Sequence, residues 1–512
     1  MAARHEVLRT TFPEHHGEPY QHILPTTGTT VPFTVTDVAP RSIEDLDEAI
    51  GGVVRRPFDL AEEPPLRVEV FRVAQDDHVV AVVLHHIATD EWSDRPFLGD
   101  LGAAYRARCE GRAPGWVPLP VQYADYTLWQ RELLGEADGE AGRQLAFWRD
   151  ALDGMPEEIA LPLDRGRPAV PSGRGGTVRA EVPAETSRAL RALSARTGTS
   201  MFMLLQAATA TLLHRMGAGT DIPIGAPIAG RTDAALDDLV GFFVNTLVLR
   251  TDLSGDPSFA GLLARVRDAD LAAFEHQDLP FERLVEAVNP PRVAGRNPLF
   301  QVMMGYHYRP DGDPAVLDLP TEWWPARIET AKFDLDFTFV DHVAQDRLTL
   351  LLEYAADRTT PETAQALADR AITLLESVAG DPDLPVGRIP VLTGAELRAS
   401  LGEWNDTARP VEPRTVPELF ADAVRAWPDR TALVAGGRGT TFAELDARVS
   451  ALASLIAAHG VTAEDVVGLA LPRAETVPAI LAVLAAGAAY VPLDPAHPAD
   501  RQAYMLDDAA PS

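Results

Sequence analysis

The chain has 512 residues, 46% hydrophobic and 23% charged, with 45 Lys and Arg against 75 Asp and Glu and a formal net charge of −30. The length allows roughly three domains, and the acidic surplus argues against nucleic acid or an anionic membrane surface as partner. The single Cys109 excludes an internal disulfide, fits a reducing, cytoplasmic compartment and cannot build a thiolate metal site.

Met1-Ala2-Ala3-Arg4-His5 runs straight into domain-like sequence without signal-peptide character, and no apolar run reaches the length of a membrane span. The pair His15-His16 lies in a polar turn, PEHHGEP, and reads as surface loop. Residues 33–38 and 66–73 have strand character, with helical spacing over 42–54 between them. Residues 79–84 are all apolar and rich in valine, which suits a strand buried on both faces. That strand delivers His85 and His86 to a sheet end, with Asp90, Glu91, Trp92 and Ser93 just beyond. Histidine is the side chain best suited to take and return a proton near neutral pH. Adjacent residues on extended backbone point to opposite faces, so one imidazole of the two can face a cleft. The plainer alternative is a strand end with two partly buried imidazoles.

Asp94-Arg95-Pro96 starts a helix, with Ser93 or Asp94 as cap and Pro96 in its first turn. Phe97, Leu98, Leu101, Ala104 and Tyr105 give it one apolar face, ending near Gly111. Tyr123, Tyr126 and Trp129 recur at helical spacing. Residues 161–176 are rich in Pro, Gly and Arg, without period, and read as a connector. A strand at 177–182 and helices at 184–197 and 200–216 follow. The second helix is apolar nearly all round and should be buried; His214 near its end reads as a helix-terminal histidine. Residues 222–231 form a strand in which Gly225 and Gly230 permit close backbone approach. Residues 303–308, 333–340 and 348–354 are further strands and 361–378 a helix, with Trp323-Trp324 assigned to core packing. A second connector covers 381–414. From Thr415 strands and helices alternate: helix 416–427, strand 431–435, helix 441–459, strand 466–471, helix 474–486, strand 489–493. Such alternation predicts a parallel sheet.

Several stretches carry a joint pattern. RHEVLRTTF (residues 4–12) resembles RHExLRTxF, and HHIATDEWS (85–93) resembles HHxxxDG, with Glu91 in place of the Gly. Tyr123, Asp125, Tyr126 and Trp129 fit YxDFAxW; residues 240–246 with Arg250 fit (I/V)GxFVNT…R. HQDLPFE (276–282) fits HQDxPFE, and Arg292 with GRNPL (295–299) fits RDxSRNPL, with Val293 for Asp and Gly295 for Ser. In this order they resemble the condensation domains of nonribosomal peptide synthetases, in the chloramphenicol acetyltransferase-like superfamily. WNDT (404–407) is similar to the linker that follows such domains, and TTFAEL (440–445) and LAAGAAYVPLD (484–494) resemble the first motifs of adenylation domains.

The resemblance implies an α/β fold: two chloramphenicol acetyltransferase-like subdomains in a V-shaped pseudo-dimer, residues 1–165 and 166–380, then a linker at 381–414 and a partial adenylation domain at 415–512. The strand and helix that open the family's domains are not represented before residue 4, so the first subdomain is expected to lack an edge strand. The implied reaction is attack by the amine of one carrier-bound aminoacyl thioester on an upstream carrier-bound acyl or peptidyl thioester, L-donor to L-acceptor. The partners are upstream and downstream carrier domains with phosphopantetheine arms, within a multimodular synthetase. No cofactor is expected on this chain; ATP and Mg belong to a complete adenylation domain, and residues 415–512 contain no Ser/Thr/Gly-rich phosphate loop.

His86 is the expected cleft-facing group, as base or as positioning group, with His85 supporting the loop. Asp90 stays ionised and structural, paired with Arg231 across the subdomains, because an unpaired buried carboxylate is costly; the plainer reading of Arg231 is a surface arginine. Glu91, Trp92, Ser93 and Asn245 are expected to line the site, Glu91 adding bulk and charge. Two alternatives stand beside this reading: a non-catalytic carrier-docking module, and an epimerisation domain on the same scaffold.

Overall fold

A computed structural model describes the chain except residues 28–29, 39–42, 136–138, 310–316, 318, 320, 322 and 325–328. It divides into two compact units, Met1–Glu403 and Trp404–Ser512.

After a 3-10 turn at Glu6–Arg9 and two pairs of two-residue strands within residues 10–23, the first unit forms a three-stranded sheet. Strands β1 (Phe33–Asp37) and β2 (Leu66–Arg72) run parallel, and β3 (His78–Leu84) pairs antiparallel with β2. Helix α1 (Ile43–Val54) packs Leu46 and Ile50 against Phe71 and Ala81; Ser42, the expected first residue of this helix, lies outside the described residues. The expected burial of β3 on both faces is not found. Among the described residues β3 is paired on one side only, and Val80 is 50% exposed. Periodicity reports how apolar a strand is, not how many neighbours it has.

Helices α2 (Asp94–Cys109), α3 (Tyr123–Leu133) and α4 (Glu140–Ala151) follow. In α2 Phe97 is buried, but Tyr105, assigned to the same face, is exposed.

The larger sheet has the strand order β6-β5-β7-β8-β9-β4. Its members are β4 (Gly175–Val182), β5 (Asp221–Ile228), β6 (Asn245–Asp252), β7 (Val302–Tyr308), β8 (Leu335–His342) and β9 (Arg347–Ala355). Strands β5, β7 and β8 are mutually parallel, and the outer pairings are antiparallel. Along β8 burial alternates: Leu335, Phe337 and Phe339 are buried in the main core, while Asp336, Thr338 and Val340 are half-buried on the other face. The core face meets α5 (Ala184–Thr197), α6 (Met201–Arg215), α7 (Phe259–Phe274) and α9 (Pro361–Gly380). Every residue from Met203 to Leu213 of α6 is buried, as its all-round apolar sequence requires. Each large side chain buried there contributes about 1.5–3 kcal/mol, so this sheet is the rigid body on which the site is mounted. Helix α8 (Phe281–Val288) starts after Pro280.

Val386, Ile389 and Val391 are buried in that same core, helix α10 (Gly394–Leu401) follows, and the division between units falls at 403/404, inside the stretch expected as connector. The tryptophans assigned to core packing are not in it: Trp323 is 57% and Trp324 36% exposed, and the Trp324 indole donates to Asp47 of α1 at 2.7 Å. An indole satisfied by a surface carboxylate has no need of burial.

In the second unit, α11 (Val416–Ala426) precedes a hairpin of β10 (Thr431–Ala435) and β11 (Arg438–Thr441), turning through Gly436-Gly437, both at positive φ. Helix α12 (Phe442–Ala458), β12 (Val466–Leu469), α13 (Arg473–Ala485), β13 (Ala489–Pro492) and α14 (Ala499–Ala509) complete it. Strands β12 and β13 pair in parallel, as the alternation predicts.

Candidate active site

Strand β3 ends at Leu84, and the chain leaves it through His85 (ψ 138°) into a single 3-10 turn, His86–Ala88. His86 therefore sits on a turn beyond the strand, not on extended backbone. Its Nδ1 is 2.7 Å from the Thr89 carbonyl. A carbonyl can only accept, so Nδ1 carries the hydrogen and the neutral ring keeps its lone pair on Nε2. The residue is exposed, and the ring meets Phe242 edge-on at 5.0 Å between centroids. His85 is the opposite case. Its Nδ1 accepts the Ile87 N–H at 3.1 Å, and its ring lies edge-on to Phe58. Burial, then the neighbouring His86, hold its imidazole below the ordinary histidine range.

Asp90 is 4% exposed. Its Oδ1 accepts from the Ser93 N–H at 3.0 Å, the Ser93 hydroxyl at 2.8 Å and Arg231 Nη2 at 3.2 Å. Its Oδ2 accepts from the N–H groups of Phe243 at 2.8 Å and Val244 at 3.1 Å. The carboxylate has no acceptor capacity turned toward solvent. Arg231 is likewise enclosed: Nη1 binds the carbonyls of Leu236 and Leu239, and its guanidinium lies 4.2 Å from the centre of the Phe243 ring. Ser93, expected to line the site, has no exposed surface. Its hydroxyl is 2.9 Å from Arg231 Nη2 and 3.1 Å from the Gly241 N–H, so it belongs to the brace and cannot face a cleft.

The close approach behind this brace depends on Gly230. Its φ is +62°, and a Cβ there would stand 1.9 Å from the Phe243 carbonyl oxygen.

Trp92 is 37% exposed and Phe242 38% exposed. Asn245 opens β6, and its side chain is fully used. Its Nδ2 donates to the carbonyls of Gln277 and Leu279, and its Oδ1 accepts from the N–H of Phe281 and Thr246. Asn245 thus ties the FVNT stretch to the HQDLPFE stretch before α8. Arg250 on the same strand grips Asp221 with two bonds, at 2.9 and 2.8 Å.

Glu91 takes a direction the sequence reading did not supply. It pairs with His307 and Arg309 at the end of β7. Burial first, and Glu91 next, push the neighbouring Asp94 carboxyl up to about 6. Tyr123 of the YxDFAxW-type stretch donates its hydroxyl to the Phe242 carbonyl at 2.8 Å and fixes the backbone beside the ring that meets His86, a partner the motif did not name.

Among the described residues no group of three or more His, Cys, Asp or Glu could hold a metal ion, and no helix is long and apolar enough to cross a membrane.

His86 thus presents an exposed imidazole on a turn that the buried Asp90–Arg231 pair anchors to the larger sheet. The condensation-domain family matches residues 1–399, and the AMP-binding enzyme family matches residues 420–512. The chain belongs to the condensation-domain family of nonribosomal peptide synthetases, acyltransferase-type enzymes that form amide bonds, and continues into the start of an AMP-binding domain. It is 46% identical to a dimodular nonribosomal peptide synthase of Bacillus subtilis, over all of this chain and 22% of that one. To the phosphinothricin tripeptide synthetase PhsC of Streptomyces viridochromogenes it is 40% identical, over 99% of this chain and 47% of that one. The chain thus spans less than half the length of these curated relatives.

Among solved structures, a four-domain nonribosomal peptide synthetase bound to AMP and glycine is similar over the whole chain and 39% of its own, with TM-score 0.78 and 25% identity. The X-domain from teicoplanin biosynthesis is similar over 76% of this chain and 88% of its own, with TM-score 0.70 and 38% identity.

Proposed function

We propose that this chain joins an upstream carrier-bound acyl or peptidyl thioester to the amine of a downstream carrier-bound aminoacyl thioester, with residues 1–165 and 166–380 as the two lobes of the catalytic domain. The observation that carries the reading is the tautomer of His86: Nδ1–H is spent on the Thr89 carbonyl, so Nε2 is the free acceptor. The amine nitrogen forms a bond to the thioester carbon, the carbon–sulfur bond breaks, and the proton the nitrogen sheds ends on the departing phosphopantetheine thiolate. His86 Nε2 accepts that N–H, either taking the proton or aligning the amine. A neutral amine is already a good nucleophile, so holding the two arms in line supplies much of the rate. Asp90 is kept out of the chemistry by its five hydrogen-bond donors.

The phosphopantetheine arms belong to the carriers. Residues 415–512 offer no glycine-rich cradle for phosphate, so no ATP-dependent step is assigned to them. The donor and the acceptor are both L-residues in this reading, as the motif comparison suggests.

The test is His86→Ala, assayed for amide product between two loaded carrier proteins. Loss of product with retained folding is expected; undiminished product removes the imidazole from the mechanism.

A second reading, recruitment without turnover, is favoured by one observation. The X-domain resembles this chain at 38% identity, and a related solved structure is a complex of that domain with OxyB. Carrier binding without amide product by the parent chain would establish it.

A further inference from the structure

Glu91 stands where the signature that the chain otherwise resembles has Gly. A glycine has nothing to reach with. The Glu91 carboxylate bonds His307 Nδ1 and stands 3.4 Å from Arg309 Nη2. His307 lies on β7 and Arg309 directly after it, and β7 is held between β5 and β8 inside the large sheet. The turn after His86 therefore carries three carboxylates, Asp90, Glu91 and Asp94. All three lie near basic groups from the larger sheet's side: Arg231 bonds Asp90, His307 and Arg309 bond Glu91, and the last two also act on Asp94.

The two ties differ in kind. The Asp90–Arg231 pair is enclosed, with side chains 1% and 6% exposed. The Glu91 cluster is open to water, with side chains 36%, 23% and 34% exposed for Glu91, His307 and Arg309. Partly exposed ion pairs add little to stability. What such a pair can supply is a second fixed point. Asp90 and Ser93 tie the segment to Arg231 and to the 241–244 backbone; Glu91 adds a tie on another strand, β7, and so restrains rotation that the buried brace leaves open.

We propose that Glu91 is a positioning residue, which with His307 and Arg309 fixes the orientation of the His86-bearing turn against β7 for the attack of the acceptor amine. The proposal rests on the role given to His86 above.

The test uses the whole chain with donor carrier saturating and acceptor carrier varied, on Glu91→Ala, Glu91→Gln, His307→Ala and the Glu91→Ala/His307→Ala pair. Glu91→Ala lowers kcat roughly 10- to 100-fold, the range of a small misplacement, while the acceptor KM and the thermal midpoint stay at the parent values. Glu91→Gln keeps the length and an acceptor oxygen for His307, and recovers most of the loss. The double variant is no slower than the slower single one, since both remove the same tie. Parent kcat in Glu91→Ala, a loss confined to KM, or additive losses in the pair each overturn the inference. His86→Ala in the same assay separates the two readings. If it still turns over, both fall; if it is dead while Glu91→Ala runs at parent rate, only the positioning role falls.

Discussion

Replacing Asp90 by Asn isolates the buried brace, because the shape is kept and one acceptor becomes a donor. The parent carboxylate collects the Ser93 N–H and hydroxyl, Arg231, and the N–H groups of Phe243 and Val244. An amide has one oxygen. If that oxygen stays on the Ser93–Arg231 side, the new NH2 group faces two backbone N–H donors, and each buried N–H left without partner costs about 1–3 kcal/mol. If it flips, the NH2 faces the Arg231 guanidinium and the Ser93 N–H, donor against donor; in both orientations Arg231 loses its counter-charge. Arg231 retains the Leu236 and Leu239 carbonyls and the Phe243 ring, which softens the loss. Removing one partner of a buried pair costs about 3–5 kcal/mol, and either orientation falls in that range. The assay is urea unfolding of the whole chain, following the transition of residues 1–403, with His86→Ala as the comparison. His86 is exposed, so its truncation should move stability by less than about 0.5 kcal/mol. The two variants should thus share lost amide formation and differ in stability. Asp90→Asn with stability within about 1 kcal/mol of the parent would refute the claim that this carboxylate holds the site together.

Two further outcomes follow from groups away from the imidazole. Asp270 of α7 is 1% exposed, its Oδ1 accepts from Gln206, its Oδ2 has no hydrogen-bond partner, and burial pushes its carboxyl up to about 7. The folded chain then keeps a proton that the unfolded chain loses near 3.8, so stability falls as pH rises from about 4 to about 7 and levels off above. The full drop is about 4 kcal/mol at 1.36 kcal/mol per pH unit. Asp270→Asn should remove that slope and exceed the parent at pH 8 but not at pH 4; urea midpoints with equal pH dependence in both proteins would contradict this. At Gly230, alanine would push its Cβ into the Phe243 carbonyl and strain φ +62°. Gly230→Ala should displace the 243–244 N–H groups that hold Asp90, costing more than about 1 kcal/mol and lowering turnover, as calorimetry and the carrier assay would show.

How much of this was legible depended on what each residue answers to. Helix α5 could be read because its burial follows the helical period, and α6 and β5 because they are apolar along nearly their whole length. Helix α7 was missed although Phe259, Leu262, Leu263 and Val266 mark a face, because that face continues into Asp270, a carboxyl that looks like solvent until Gln206 is found beside it. Strand β6 was missed because Asn245 resembles a turn residue; its amide serves four backbone groups, three of them in a segment more than thirty residues away. Asp90 and Arg231 could be paired in advance from the family pattern. The partners of Glu91 could not, because Glu91 departs from that pattern and Arg309 stands 218 residues further along the chain.

His86 being on a turn and not on a strand explains why the site needs so many ties. A strand residue is oriented by its ladder on either side. A residue on one 3-10 turn has a single local bond to hold its ring, here the Thr89 carbonyl, and the turn itself is held locally only by its own two backbone bonds and the His85 cap. Orientation must then come from outside. It arrives from Arg231 beyond the end of β5, from the Gly241–Val244 backbone that leads into β6, and from the tip of β7. The strands β6, β5 and β7 are neighbours in the sheet, in that order. A displacement of any one would be felt at the imidazole, so in the mechanism proposed above the geometry of the large sheet, more than the local sequence around His86, sets how Nε2 would meet an incoming amine.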